Sequence, residues 1–356
     1  MKENNSFLYF KIFAVYIILF SGIVFATGSK APQAPSGPSS KPAYIHDGST
    51  SYNQADWMAK LEDSRPLDKI SMVGTHESAA FYGGDITQCQ SLSLTNQLNM
   101  GVRAMDIRTR QYNDQLDIYH GFVSQKKTFE SVIQEVASFL QKHPKETVLM
   151  RIGSDGNKSE KNKLSYEEAF LDVYRDYSKY FWKGNFFATP TLGQLRGKIV
   201  ILQKFGGSYY GMDYDKLKIQ DSYTMNTNWD LYSKWEKVKK HIDDAAISGG
   251  GKGIYMNYLT ASTGSMPYFV VSGQSSPQTN APLLATGKTT PGWASCCPDF
   301  PRVNCLGKLC TIAFLGTNPL SVNYIKSKFG VKKGYIGIMM TDFPGPGLVE
   351  AVINLN

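Results

Sequence analysis

Five histidines occur in the chain, and two of them have neighbours able to move protons at a phosphodiester. His76 stands in Gly74-Thr75-His76-Glu77-Ser78, directly after the run Lys69–Val73, and His120 follows Leu116–Tyr119 and precedes Gly121. Asp106 and Arg108 lie at the end of the run Val102–Ile107 and alternate with Ile107, so their side chains share one face of a strand. Asp342 ends the run Tyr335–Thr341. Two imidazoles, flanking carboxylates and one guanidinium are what attack by an internal hydroxyl on a phosphodiester needs. One imidazole takes the hydroxyl proton, the other supplies a proton to the leaving oxygen, and the guanidinium neutralises charge on the phosphoryl oxygens. Glu77 and Asp342 would orient the imidazoles, and the scheme calls for neither a metal nor another cofactor. His46, His143 and His241 lie near a linker, beside a proline and in a polar helical run, and read as structural.

The elements that must position these groups alternate short apolar runs with amphipathic stretches, as parallel strands joined by helices do. Further strands are expected at Thr147–Ile152, Lys198–Gln203 and Gly253–Tyr258. Thr128 is placed to cap a helix with Val132, Ile133, Val136, Phe139 and Leu140 on its buried face. Ser165-x-x-Glu168 predicts a capping box, Leu231, Trp235, Val238 and Ile242 form a helical stripe, and Asn318-Pro319 opens a helix that Gly330 ends. Every candidate group falls at the C-terminal end of a predicted strand, where α/β barrels assemble active sites. Arg151, Asp155, Lys204 and Tyr258 fall at or just after other strand ends.

The ends of the chain speak to compartment. Residues 1–26 carry Lys2 and Lys11 around an apolar run from Ile12 and close on Ala26, a secretory pattern too short for a bilayer span. Residues 27–50, rich in Ser, Pro, Gly and Ala at their start, are expected to form a flexible linker before one barrel domain over 51–356. The stretch of about 261–316 breaks the alternation and reads as an elaborated loop. Four of the five cysteines, Cys296, Cys297, Cys305 and Cys310, cluster there, with Cys89 apart. Export makes disulfides their default chemistry, and a zinc site is disfavoured by the lack of paired C-x-x-C spacing. The formal charge of +8 suits anionic partners, but no basic helix or long Lys/Arg run supports nucleic acid.

These residues resemble the X-type catalytic domain of phosphatidylinositol-specific phospholipase C, especially its secreted bacterial branch. Lys69 to Ser78 is similar to the first catalytic segment, which usually reads Gly-Thr-His-Asp-Ser, Ala104 to Arg108 to the Asp-x-Arg segment, and Tyr119-His120-Gly121 to the second histidine. The resemblance implies an irregular, incompletely closed (β/α) TIM-type barrel. It implies His76 as general base for the inositol 2-hydroxyl, His120 as general acid, Arg108 at the phosphoryl oxygens, and Asp342 paired with the first histidine. Glu77 takes the place of an aspartate that assists the second. Substrate contacts implied are Asp221 and Tyr223, in Gln220-Asp221-Ser222-Tyr223, and Lys204 where relatives carry arginine. Gly153 stands where a ring-binding lysine falls, so Arg151 or Asp155 would supply that contact.

The expected partner is an inositol phospholipid at a membrane surface, engaged transiently by a secreted monomer. Where Arg108 stands, the calcium-dependent branch has an acidic residue; an arginine repels a divalent cation and can take over its charge-neutralising role. Two other readings compete: a non-catalytic inositol-lipid-binding barrel, motivated by Glu77 and Gly153, and a metal-dependent enzyme of the glycerophosphodiester type.

Overall fold

A computed structural model describes residues 41–154, 162–292 and 295–356. The expected signal peptide, residues 27–40 of the expected linker, and Asp155 lie outside the described residues, whereas residues 41–50 of that linker pack on the barrel, with Tyr44 and Ile45 buried and the Ile45 N–H donating to the Phe343 carbonyl at 3.2 Å.

Eight strands form one curled parallel sheet: β1 (Met72–Thr75), β2 (Ala104–Tyr112), β3 (Val148–Ser154), β4 (Ile199–Lys204), β5 (Met212–Asp213), β6 (Lys218–Gln220), β7 (Tyr255–Tyr258) and β8 (Ile338–Thr341). They pair in the order β5-β4-β3-β2-β1-β8-β7-β6, each pair parallel. This is the circular order of a barrel opened between β5 and β6. The opening has a local cause: only a single turn, Tyr214–Lys216, separates those strands, too little chain for the crossover helix that parallel neighbours require.

Helices α1 (Leu94–Met100), α2 (Phe129–Lys142), α3 (Tyr166–Asp176), α4 (Leu192–Leu195), α5 (Leu231–Ser248), α6 (Pro267–Ser272), α7 (Thr317–Phe329) and α8 (Pro346–Ile353) fill the connections. The Thr128 side chain caps α2 by accepting from the Ser131 N–H at 3.1 Å, and Ser165 and Glu168 form the capping box of α3. All four apolar residues of the α5 stripe are buried, and α7 ends at Gly330.

Three expectations are corrected. The run Leu116–Tyr119 is not a barrel strand: Gln115–His120 pairs antiparallel with β2 and then with Val123–Thr128, making a ribbon that extends the sheet. Alternating apolar residues look alike in either setting, and only the two-residue turn at Asn113-Asp114, both at positive φ, marks the hairpin. Nor is 261–316 a loop. It contains α6 and an antiparallel sheet of Ala285–Thr289, Leu309–Ala313 and Arg302–Leu306, which contributes Phe300, Ile312 and Phe314 to the core around Trp235. Finally, Cys305–Cys310 is the one disulfide among the described residues, while Cys89, Cys296 and Cys297 are free thiols.

At the N-terminal end of the sheet, Arg103 and Glu146 are buried together. The guanidinium donates to Glu146 Oε2 at 2.7 and 2.9 Å and to the Ala55, Leu98 and Val102 carbonyls, and it lies 4.8 Å from the centroid of Phe139. Glu146 also accepts from the Met58 and Ala59 N–H groups, so the pair ties the N-terminal segment to the barrel base with its polar atoms satisfied. Glu146→Gln leaves a buried cation unpaired and should cost about 3–5 kcal/mol. Urea unfolding followed by circular dichroism would detect this as a large drop in midpoint at unchanged slope.

Candidate active site

Strand geometry sorts the inward-facing residues into layers. Gly74, Ala104, Leu149, Val200, Tyr258 and Met340 share one level by register. A Cβ at Gly74 would meet Met340 Sδ at 2.3 Å and Ala104 Cβ at 2.8 Å, so side chains from the two flanking strands close over the glycine at this level. Below it, Met72, Met256 and Ile338 join the same apolar cluster. Two residues further along, β4 still presents the apolar Leu202, but the other positions change to His76, Asp106, Arg151 and Asp342, and two further still come Arg108, Gly153 and Lys204. The outward alternates Val73, Met105, Ile107, Met150, Ile152 and Met339 pack under the helices. An apolar floor thus carries a charged mouth.

His76 and Asp342 each follow a strand end. The register Thr75↔Thr341 continues as a hydrogen bond from the His76 N–H to the Thr341 carbonyl at 2.9 Å, so the two following side chains are neighbours. His76 Nδ1 lies 2.9 Å from Asp342 Oδ1. The carboxylate accepts, so Nδ1 carries the hydrogen and Nε2 is left for the pocket. Tyr258 meets the ring edge-on, its centroid 6.0 Å away. Gln90 holds the main chain here, its amide donating to the carbonyls of His76 (2.7 Å) and Thr341 (3.1 Å).

His120 is held differently. Its Nδ1 lies 2.7 Å from the Thr87 carbonyl, which can only accept, so Nε2 again is the free nitrogen. That Nε2 is 4.0 Å from Glu77 Oε1, whereas the same oxygen lies 2.7 Å from Arg108 Nη1. Glu77 is therefore first of all a partner of Arg108, and only at longer range a neighbour of His120. Its φ of +42° is an uncommon conformation for a residue with a side chain, maintained here where its carboxylate is buried against the guanidinium.

Asp106 is the fixed point of the cluster. One oxygen accepts from Arg108 Nε (3.3 Å) and Nη2 (3.1 Å), and the other pairs with Arg151 Nη1. Burial opposes its ionised form, but the two guanidinium charges outweigh that and hold its pKa well below the carboxylate range. Arg151, in turn, loses solvation by burial but is held firmly charged by Asp106, and it lies over the Tyr214 ring at 4.9 Å.

The sequence-derived residues do not all converge. Glu77, Asp106, Arg108, His120 and Arg151 form one connected set of side chains, and the His76–Asp342 pair adjoins it through the main chain, where the Glu77 N–H donates to Asp106 Oδ2 at 3.4 Å. Arg151 is engaged by Asp106 within it rather than standing free at the rim. Lys204 faces inward one level higher, where its ammonium pairs with Asp215 at 2.6 and 2.8 Å. Asp221 and Tyr223 stand outside the network, exposed on the segment after β6. Sequence reasoning missed Gln90, Thr87 and the buried Lys234, because they act through loop main chain and no spacing announces them. Lys234 donates to the Ser222 carbonyl at 3.0 Å and reaches Gln220 Oε1 at 3.4 Å, pinning the segment that carries Asp221.

Residues 64–205 match the family model described as phosphatidylinositol-specific phospholipase C, X domain. The chain is 27% identical over 276 residues to a 1-phosphatidylinositol phosphodiesterase of Staphylococcus aureus, spanning 69% of this chain and 88% of that protein. It is 34% identical over 166 residues to a 1-phosphatidylinositol phosphodiesterase of Listeria monocytogenes, spanning 42% of this chain and 48% of that one. In fold it is similar to the phosphatidylinositol-specific phospholipase C of L. monocytogenes, with a TM-score of 0.60 at 21% identity over 85% of this chain and 99% of that one. A phosphatidylinositol-specific phospholipase C of S. aureus gives a TM-score of 0.65 at 23% identity over 85% and 98%.

Lys234 generates a pH-dependent expectation. Burial lowers its pKa from 10.5 to about 7. Between these values the unfolded chain holds a proton that the folded chain lacks, so this residue makes stability rise with pH through that window, while below pH 7 its full penalty is present. Lys234→Met should therefore gain stability relative to the parent as the pH falls from 10 to 6, by up to about 5 kcal/mol. Thermal unfolding of both proteins across this range would check it; a constant difference would contradict the assignment.

Proposed function

The chain belongs to the phosphatidylinositol-specific phospholipase C X-domain family, and from that premise we propose that it cleaves phosphatidylinositol to diacylglycerol and inositol 1,2-cyclic phosphate without a metal ion. The observation that carries the reading is the pair of imidazoles, each fixed through Nδ1 so that Nε2 is left available, set around an arginine held by two carboxylates. His76 Nε2 takes the proton of the inositol 2-hydroxyl as its oxygen bonds to phosphorus. Arg108, locked by Asp106 and Glu77 but with part of its side chain exposed, neutralises the non-bridging oxygens. His120 gives its Nε2 proton to the diacylglycerol oxygen as the P–O bond breaks. Asp342 orients His76 and is a charge partner for the imidazolium formed there. A glycosylated inositol lipid offers the same reacting atoms, and Lys204, Asp221 and Tyr223 at the rim are the residues placed to tell the headgroups apart.

The mouth also suits a lipid surface. Phe122, 95% exposed, follows His120 by two residues, and Ile86, 70% exposed, precedes the Thr87 that holds His120. Apolar side chains flanking both residues of the contact that fixes the acid would enter the interface when substrate is drawn from a bilayer. Residues 1–26 direct the protein out of the cell in this reading, and among the described residues no helix is long and apolar enough to cross a membrane.

Phosphorus NMR of phosphatidylinositol micelles in excess chelator tests the chemistry. A cyclic inositol phosphate signal is expected from the parent, with His76→Ala and His120→Ala each slower by roughly 10³-fold or more. Binding without turnover by the parent would favour the lipid-binding reading, and turnover lost to the chelator would favour the metal-dependent one. Separately, Phe122→Ser should weaken binding to anionic vesicles by roughly fivefold while leaving cleavage of a soluble, short-chain substrate unchanged. Co-sedimentation and a monomeric-substrate assay read the two effects apart.

A further inference from the structure

The proposed reaction leaves one buried nucleophile unused. Cys89 is wholly buried, with its thiol 3.9 Å from His120 Nδ1 and 3.6 Å from the Thr87 carbonyl. Its main chain is fixed on both sides. The Cys89 N–H donates to the Ala80 carbonyl at 3.0 Å, and the Cys89 carbonyl accepts from the Phe343 N–H at 3.0 Å, which ties it to the residue after Asp342. As a result, one nitrogen of His76, the Cys89 sulfur and one oxygen of Asp342 all lie within 4.8 Å of one another.

We propose that His76, Cys89 and Asp342 form a binding site for a single soft or borderline divalent cation, Zn²⁺ or Cd²⁺, and that occupancy blocks catalysis rather than supporting it. Imidazole, thiolate and carboxylate together make a three-ligand set of the kind zinc accepts, with a fourth position open to solvent, whereas Ca²⁺ and Mg²⁺ call for oxygen alone. Metal–donor bonds of about 2.0–2.3 Å place tetrahedral donors roughly 3.3–3.6 Å apart. The 2.9 Å contact between His76 and Asp342 must therefore open slightly, and the widest pair must close by about an ångström. His76, with 18% of its side chain exposed, is the ligand free to make that adjustment and the edge by which a cation enters. The two guanidinium groups nearby do not forbid it, because Arg108 and Arg151 are matched by the carboxylates of Asp106 and Glu77.

Binding releases the thiol proton to solvent, and the cation takes the place of the hydrogen between His76 Nδ1 and Asp342. The hydrogen displaced from Nδ1 is lost to solvent and Nε2 takes one up from solvent, so the metal-bound neutral imidazole carries its one hydrogen on Nε2 and the nitrogen that faces substrate can no longer accept a proton. The blocking effect rests on the proposed phospholipase activity, whereas the binding does not, and the two are measured separately.

The experiment uses the full chain carrying Cys296→Ser and Cys297→Ser, which removes the adjacent thiols that form the obvious alternative site and leaves Cys89 as the free one. Titration with Cd²⁺ alone should give a thiolate-to-cadmium charge-transfer band that saturates at one ion per chain. Cys89→Ser, or Cys89→Ala where serine impairs folding, should abolish the band, and competing Zn²⁺ should displace Cd²⁺. His76→Gln should weaken the affinity roughly tenfold or more. No band in the parent, a band that survives Cys89→Ser, or one indifferent to His76→Gln overturns the site. In parallel, Zn²⁺ should inhibit phosphatidylinositol cleavage by the parent, reversibly with chelator, and Cys89→Ser should turn over at the parental rate with inhibition lost. A parent that binds Cd²⁺ but never cleaves lipid would sink the functional reading and leave the site standing; a parent that cleaves lipid but is indifferent to Zn²⁺ would overturn the blocking role.

Discussion

The parallel pairing of β1 with β8 is the constraint on which the mouth depends. These two strands are neighbours in the sheet but more than 260 residues apart in sequence, at roughly 72 and 338, and their register, Met72↔Ile338 through Thr75↔Thr341, delivers His76 and Asp342 to the same level. A shift by one residue would turn every inward group of one strand toward the helices, since side chains alternate with period two. The register is protected by burial on both faces. Gly74 lets Met340 and Ala104 close over it, while Val73 and Met339 pack on the opposite side with the helical layer. Packing energy spread along the strand thus becomes positional accuracy for one hydrogen bond at its end.

Charge organises the next level. A buried carboxylate facing one arginine would satisfy itself, but Asp106 faces two, and this fixes Arg108 from one side and Arg151 from the other. Arg108 gains a second acid in Glu77 from the adjoining strand end. Ordering a guanidinium in advance removes part of the entropic cost of clamping a phosphoryl group. The same economy explains Arg151. With Gly153 contributing no side chain, space opens between Arg151 and Lys204, where a Cβ would make only ordinary contacts near 3.5 Å, yet Arg151 remains on Asp106 instead of filling it.

Much of this was readable in the sequence because the relevant signals are local. Strand ends followed by His, Asp or Arg need only a period of two to be placed on one face, and the caps at Thr128 and Ser165 are set by residues three apart. What escaped prediction is decided at long range. Leu116–Tyr119 alternates as a barrel strand would, but the ribbon is chosen by pairing to β2. Residues 261–316 look loop-like because their small sheet shows one face to solvent, and its apolar residues are few and widely spaced. Gln90, Thr87 and Cys89 act through main-chain contacts to segments that are adjacent only after folding. Glu77 was expected to assist the second imidazole, but its closer contact is with Arg108, through a backbone conformation that sequence does not reveal.

The two imidazoles end up in unlike settings, and the difference bears on their roles. His76 rests on a barrel strand end against a fully buried carboxylate. A positive charge arriving there by proton uptake finds a fixed counter-ion and causes no rearrangement. His120 sits at the end of the ribbon, and its Nδ1 is held by a neutral carbonyl, with the nearest acid at 4.0 Å and shared with Arg108. The ribbon also carries Phe122 at the tip of the same turn, so a lipid surface that engages Phe122 would act on the element bearing the acid and leave the base untouched. With His76 as base and His120 as acid, as proposed, the base would stand on the rigid sheet and the acid on the ribbon that also carries Phe122, so a membrane contact would bear on one proton transfer and not the other.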